Sequence, residues 1–246
     1  MEGYVKSHIE HGINTIEFFH PQSNSLPGKL LEGLAREIHS AGTHDDTRVI
    51  ILRSAGEKAF CAGASFDELR SIKTKEEGLH FFSGFAEVIN AMRKCPKFII
   101  GRIQGKCVGG GVGLVAAVDY AIAAINAEVK LSELAVGIGP FVVGPAIERK
   151  IGTAAFSALA IDAKNWRSTD WAKRKGLFSE IHDSKENMDE AIYNLANSLS
   201  HSNPEAMAAM KKIFWKGTEH WDELLKERAA ISGRLVLSEF TRKALG

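Results

Sequence analysis

The sequence predicts an α/β protein in which strands first alternate with helices and helices then run on alone. Two observations predict it. Short β-branched runs, Val49-Ile50-Ile51-Leu52 and Phe98-Ile99-Ile100, are separated by stretches of helical apolar spacing. Beyond Gly144 the pattern becomes mostly helical. In chain order, residues 4–9 and 13–19 flank the turn signal His11-Gly12 and read as a hairpin. Residues 26–40 place Leu30, Leu31, Leu34 and Ile38 at helical spacing, with Pro27 tolerated in the first turn. The Val49 run reads as a buried strand, residues 77–92 as an amphipathic helix, and the Phe98 run as a second strand after the Cys95-Pro96 breaker. Residues 112–119 read as a helix behind a glycine cluster, and 121–125 and 128–131 as strands. Residues 177–181 are the one late strand, and 189–199, 204–215, 221–232 and 236–245 read as helices. No internal repeat or low-complexity linker interrupts the chain, so the division expected is a βα core over 1–190 and a helical region over 191–246.

Composition narrows the function classes. The 246 residues are 45% hydrophobic and 25% charged, which suits a sizeable core and argues against wholesale disorder. A net charge of +1 gives no electrostatic case for nucleic acid or an anionic membrane. An anionic ligand would have to be held by local features such as helix N-termini. Cys61, Cys95 and Cys107 are an odd, sparse set without CxxC spacing, and read as free thiols in a reducing cytoplasm. The nine histidines form neither HxxxH nor HExxH, so no metal site is expected. No apolar run is long enough to span a bilayer. The most apolar stretch, 108–125, carries Asp119 and several glycines and reads as core. A cytoplasmic location without membrane attachment is expected.

Three segments could carry chemistry. In Lys58-Ala59-Phe60-Cys61-Ala62-Gly63-Ala64-Ser65-Phe66, small residues follow a strand and precede a helix, which lets a ligand approach the backbone and leaves N–H groups free; a compact turn explains the same residues. In Gly105-Lys106-Cys107-Val108-Gly109-Gly110-Gly111-Val112-Gly113, successive glycines at a helix start expose N–H groups and the positive end of the dipole; close helix–strand packing is the alternative. The same segment fits G-x-G-x-x-A from Gly111 to Ala116, with Glu133 at the distance of a ribose-binding acid. A dinucleotide site ranks lower, because Gly105 to Gly110 intervene between strand and fingerprint. In Lys130-Leu131-Ser132-Glu133-Leu134-Ala135-Val136-Gly137, one carboxylate closes an apolar stretch before a glycine-rich loop. In an apolar pocket its pKa would rise toward neutrality, which suits proton transfer; a capping or exposed glutamate is the plain alternative. Asp67 and Glu68 read as a helix N-terminal charge pair, with a pocket-facing Glu68 as the second option, and Arg242 and Lys243 as solvated.

Taken in order, these segments closely resemble the crotonase superfamily, the enoyl-CoA hydratase/isomerase family. Phe60-Cys61-Ala62-Gly63-Ala64 is similar to its F-C/S-A-G-A-D segment. Gly105 to Leu114, with Asp119 and Ala121-Ile122-Ala123, resembles its G-x-x-x-G-G-G segment. Ser132-Glu133-Leu134 with Gly137 and Pro140 resembles P-E-x-x-x-G-x-x-P, and Asn24-Ser25-Leu26 its early N-A-L. The resemblance implies a spiral of ββα units with a C-terminal helical trimerisation region, assembled as a homotrimer or hexamer. It implies an acyl-CoA thioester as substrate, with coenzyme A part of the substrate and no separate cofactor. It implies an oxyanion hole from the Ala64 and Gly110 backbone N–H groups and Glu133 as the catalytic acid and base. Substrate contacts are implied at Gln22, Ser23, Ser25, Ala62, Ser65, Phe66, Gly109 and Phe141.

Departures from the family pattern refine the expectation. Hydratases of this family use two glutamates, and the position of the first is here Gly113. The aspartate that some isomerases carry corresponds by spacing to Phe141, and the usual Asp after A-G-A is Ser65. One base and an oxyanion hole suffice for a 1,3-proton shift. The reading is therefore an enoyl-CoA isomerase or single-glutamate hydratase of fatty-acid or branched-chain acyl-CoA metabolism. A crotonase-fold CoA-binding or assembly protein without catalysis is the alternative.

Overall fold

The His11-Gly12 turn sets the edge of the main sheet. Both residues have positive φ, 50° and 80°, as a tight hairpin turn requires. The turn joins β1 (Tyr4–Glu10) to β2 (Ile13–Phe19) in antiparallel register. The computed structural model describes residues 2–246. From β2 the sheet continues in parallel through β3 (Val49–Ser54), β5 (Phe98–Ile103), β7 (Tyr120–Ala124) and β9 (Glu180–His182). Helices α1 (Gly28–Thr43) and α3 (Lys75–Lys94) cover one face together with Ile50, Leu52 and Ile99. Helix α7 (Lys185–Ser200) covers the other, where Val49, Phe98 and Ile100 meet Met188 and Ile192. Burial on both faces explains why the strand runs are continuously apolar rather than alternating.

A second, three-stranded parallel sheet positions the site. It consists of β4 (Ala59–Cys61), β6 (Lys106–Val108) and β8 (Val129–Lys130) in the order β4-β6-β8. Cys61 pairs with Cys107, and Cys107 with Val129. The three strands therefore end level with one another. Each releases one of the three motifs: Ala62 to Ala64 after β4, Gly109 and Gly110 after β6, Ser132 and Glu133 after β8. Ligand sites of open parallel sheets lie at this carboxyl end. Helix α2 (Phe66–Ser71) follows the first motif, and α4 (Gly110–Ala117) the second. A 3₁₀ turn (Glu133–Val136) and α5 (Gly144–Ile161) follow the third.

The later helices close around this core. After α6 (Thr169–Arg174), Gly176 turns the chain at φ 82°, and Leu177 and Phe178 are buried as anchors outside any strand. The strand expected over 177–181 is thus corrected to β9, which begins only where Glu180 pairs with Ile122. Helix α8 (Pro204–Phe214) is fastened by Lys211, 2% exposed, whose ammonium sits 2.8 Å from Asp119 Oδ2 and 2.7 Å from the Lys97 carbonyl. The helix expected over 236–245 starts at Glu239 instead. Ser238 accepts from the Thr241 N–H and so caps α10 (Glu239–Leu245) separately from α9 (Trp221–Leu235). Helix α3 opens with a capping box between Thr74 and Glu77. It crosses α9 at a glycine pair: a Cβ on Gly78 would stand 2.6 Å from the Gly233 carbonyl oxygen. Gly78→Ala should therefore lower unfolding free energy by about 2 kcal/mol through overpacking, measured by denaturant titration. An unchanged midpoint would show that the helices can part freely.

Candidate functional site

The motif segments meet around a narrow cavity of about 60 Å³. Ala62, Gly63 and Ala64 form one side, Gly109 and Gly110 the next, and Ser132 and Glu133 the third. Phe66, Leu69, Phe82, Phe85, Val136, Ile138, Phe141, Val142 and Val143 supply apolar wall, and Ser232 reaches in from α9. Glu133 is the one ionisable side chain among these.

The glycines here are required by geometry. Gly63 adopts φ 83°, and a Cβ on it would lie 2.7 Å from the Val108 carbonyl oxygen and 3.1 Å from the Gly110 nitrogen. The first motif thus lies flat against the second. Gly109 adopts φ 53°, and a Cβ there would meet Glu133 Oε1 at 3.0 Å. Surrounding amides are mostly spent: Ala62 N donates to Ser23 O, Gly63 N to Cys61 Sγ and Gly109 N to Lys130 O. The N–H groups of Ala64 and Gly110 have no acceptor among the described residues. Gly110 is the first residue of α4, so its N–H has no intrahelical partner by construction, and the helix dipole adds positive potential there. An oxygen developing negative charge between these segments would meet two free donors.

Glu133 stands at the start of the 3₁₀ turn and is partly exposed as a residue. Its carboxyl group is not exposed. Oε2 is buried without a hydrogen-bond partner among the described residues. This desolvation pushes its pKa up to about 7. Near neutral pH such a group holds or gives up a proton with comparable ease.

Other residues singled out in the sequence take different places. Gln22 Nε2 donates to Asp67 Oδ2 at 2.6 Å, and Ser25 Oγ pairs with His20 Nδ1 at 2.9 Å. Ser23 adopts φ 54° and offers its carbonyl to Ala62. Ser65 caps α2 by accepting from Glu68 N. These four frame the segments bearing the cavity rather than its wall, whereas Ala62, Phe66, Gly109 and Phe141 line it. Glu68, considered as a pocket-facing group, accepts from Gly28 N at 2.7 Å instead and holds the N-terminus of α1. Gly113 packs on Val143, whose Cγ1 would lie 2.5 Å from an added Cβ, so a carboxylate side chain has no room there. A Cβ on Gly111 would likewise stand 2.5 Å from the Cys61 carbonyl oxygen. Both glycines of the dinucleotide-like fingerprint are thereby closed to phosphate. Arg242 and Lys243 are exposed on α10. The cavity residues Phe82, Phe85 and Ser232 carried no sequence signal beyond helical periodicity.

Comparison with known proteins follows the same lines. Residues 8–242 match the family described as enoyl-CoA hydratase/isomerase. The chain is 32% identical over 200 residues to a mitochondrial methylglutaconyl-CoA hydratase of Rattus norvegicus, covering 80% of this chain and 63% of that protein. It is 28% identical over 199 residues to a peroxisomal Delta(3,5)-Delta(2,4)-dienoyl-CoA isomerase of Arabidopsis thaliana, covering 75% and 70%. The crystal structure of an enoyl-CoA hydratase from Bacillus halodurans superposes with a TM-score of 0.90 over 98% of both chains at 24% identity, a likeness of fold. The chain therefore belongs to the enoyl-CoA hydratase/isomerase family of the crotonase superfamily, and it is an enzyme of that family. No helix among the described residues is long and apolar enough to cross a membrane.

The raised pKa of Glu133 has a consequence for stability. The folded carboxyl group holds its proton up to about pH 7, while the unfolded one releases it near 4.5. Its contribution is fully present below pH 4.5 and is lost as pH rises to 7. Glu133→Gln removes this loss. The variant should match the parent near pH 4.5 and exceed it at pH 8 by at most about 3 kcal/mol in denaturant unfolding. A stability difference independent of pH would contradict the buried carboxyl.

Proposed function

We propose that this enzyme moves a double bond along an acyl-CoA by a one-base proton transfer, as an enoyl-CoA isomerase. The observation that carries this reading is the cavity's single ionisable group, Glu133, with a pKa of about 7 and no second carboxylate beside it. In the proposed reaction the thioester oxygen of a 3-enoyl-CoA accepts from the Ala64 and Gly110 N–H groups. The Glu133 carboxylate removes a proton from C2, and the electron pair of that bond moves onto the thioester oxygen as an enolate. Collapse of the enolate carries the double bond to C2–C3 while the protonated Glu133 returns the proton to C4. Atoms and charge balance with no water consumed. Each free amide is worth about 3–4 kcal/mol of transition-state stabilisation in comparable sites, since donors already in place need no reorganisation.

Hydration of a 2-enoyl-CoA would need a second group to order the attacking water. Gly113 is blocked by Val143, and Glu68 is engaged at Gly28, which disfavours that route. The isomerase relative in Arabidopsis fits the reading, though the hydratase relative keeps water addition as the outcome to be tested. The test is incubation with trans-2- and trans-3-enoyl-CoAs in heavy-oxygen water, followed by mass spectrometry. A bond shift without label is expected. Label in a hydroxyacyl product would replace isomerisation by hydration. Glu133→Gln should lower kcat about a thousandfold while acyl-CoA binding persists; retained turnover would remove Glu133 from the mechanism.

A further inference from the structure

The ring of Phe141 is folded back onto its own loop at the cavity wall. A Cβ on Gly139 would stand 2.5 Å from its Cε2 and 2.6 Å from its Cζ, so glycine two residues earlier gives the ring its seat. The backbone that carries it is held on both sides. Toward Glu133, Ile138 N donates to Glu133 O at 3.0 Å. Across Pro140, whose φ is restricted by its own ring, Phe141 N donates to Gly139 O and Gly144 N to Pro140 O, both at 2.8 Å. Toward α4, Val143 is 5% exposed and lies against Gly113, where an added Cβ would meet its Cγ1 at 2.5 Å.

Phe141, Glu133 and Gly110 border one cavity. A space of about 60 Å³, at roughly 10–15 Å³ for each water-sized position, admits on the order of five non-hydrogen atoms. The thioester carbonyl carbon and oxygen, C2 and C3 nearly fill it. Phe82, Phe85 and Val143 also bound this space, but they belong to the main core and serve the fold as well. Phe141 lies outside that cluster and is partly exposed. A half-exposed ring on a loop adds little to stability, and the glycine that seats it costs backbone entropy. Both residues are accounted for if the ring limits what the cavity admits.

We propose that Phe141 is the stop of the acyl pocket and restricts the enzyme to acyl-CoA thioesters of about four to six carbons. The inference rests on the acyl-CoA reading of the site and adds the chain-length class. Phe141 is a specificity residue and takes no part in the proton transfer.

Isothermal titration with nonreactive saturated thioesters tests it. The probes are free CoA and butanoyl-, hexanoyl-, octanoyl- and decanoyl-CoA. In the parent protein butanoyl- or hexanoyl-CoA should bind more tightly than free CoA, and decanoyl-CoA no more tightly than hexanoyl-CoA. In Phe141→Ala, folded by circular dichroism, decanoyl-CoA should bind at least about tenfold more tightly than hexanoyl-CoA, as added methylenes find apolar cover. Phe141→Leu should shift the profile the same way in smaller measure. A parent that binds decanoyl-CoA about tenfold more tightly than hexanoyl-CoA overturns the stop, whichever variant folds. A parent-like profile in the folded variants overturns it too, and in both cases the acyl-CoA reading stands. Failure of every thioester to bind overturns both.

Discussion

A carboxyl group enclosed by apolar wall, with one oxygen lacking a partner among the described residues, is the constraint on which the rest of this structure turns. Glu133 could be satisfied at little cost by solvent or by a lysine. It is instead held against Gly109, with Oε2 buried and unpaired. That arrangement is unfavourable for folding at neutral pH and favourable for chemistry, because it brings the proton affinity of a carboxylate into the working range. Stability spent at one group is recovered elsewhere, in the two-sided packing of the main sheet and the fastening of α8 through Lys211 and Asp119.

The small parallel sheet solves the positioning problem. Three strands of two or three residues, paired at Cys61, Cys107 and Val129, bring segments 46 and 22 residues apart in the chain to one level. The free amide of Ala64, the free amide of Gly110 and the carboxyl of Glu133 follow within three residues of a strand end. Short strands tolerate little register error, since a one-residue slip would turn each segment over. The close contacts at Gly63 and Gly111 lock the register from the ligand side. Asp119 belongs to the same device. It accepts from Ile99 N, Lys211 and Trp215, and so fixes the end of α4 relative to the main sheet.

The sequence was most readable where backbone geometry demands a residue type. Gly63, Gly109 and Gly110 stand where a side chain would collide or φ is positive, and in the sequence it was the resemblance of their segments to a known family, rather than their spacing alone, that singled them out. Strand runs covered on both faces were equally plain. Legibility ended where through-space partners decide. Glu68 could have faced a pocket or a helix end, and only Gly28, forty residues away, settles it. Leu177 and Phe178 look like strand because they are apolar, yet they serve as anchors after the Gly176 turn. Ser232, Phe82 and Phe85 enter the cavity because α9 crosses α3 at two glycines, and no local pattern announces a crossing.

Direct titration of Glu133 tests the central claim. With carbon-13 in the glutamate side chains and Glu133→Gln to assign the resonance, carboxyl shifts followed by NMR from pH 3 to pH 9 should show this one group titrating near 7. An inflection near 4.5, the ordinary glutamate value, would mean that water reaches the carboxyl freely, and the one-base account would lose its footing.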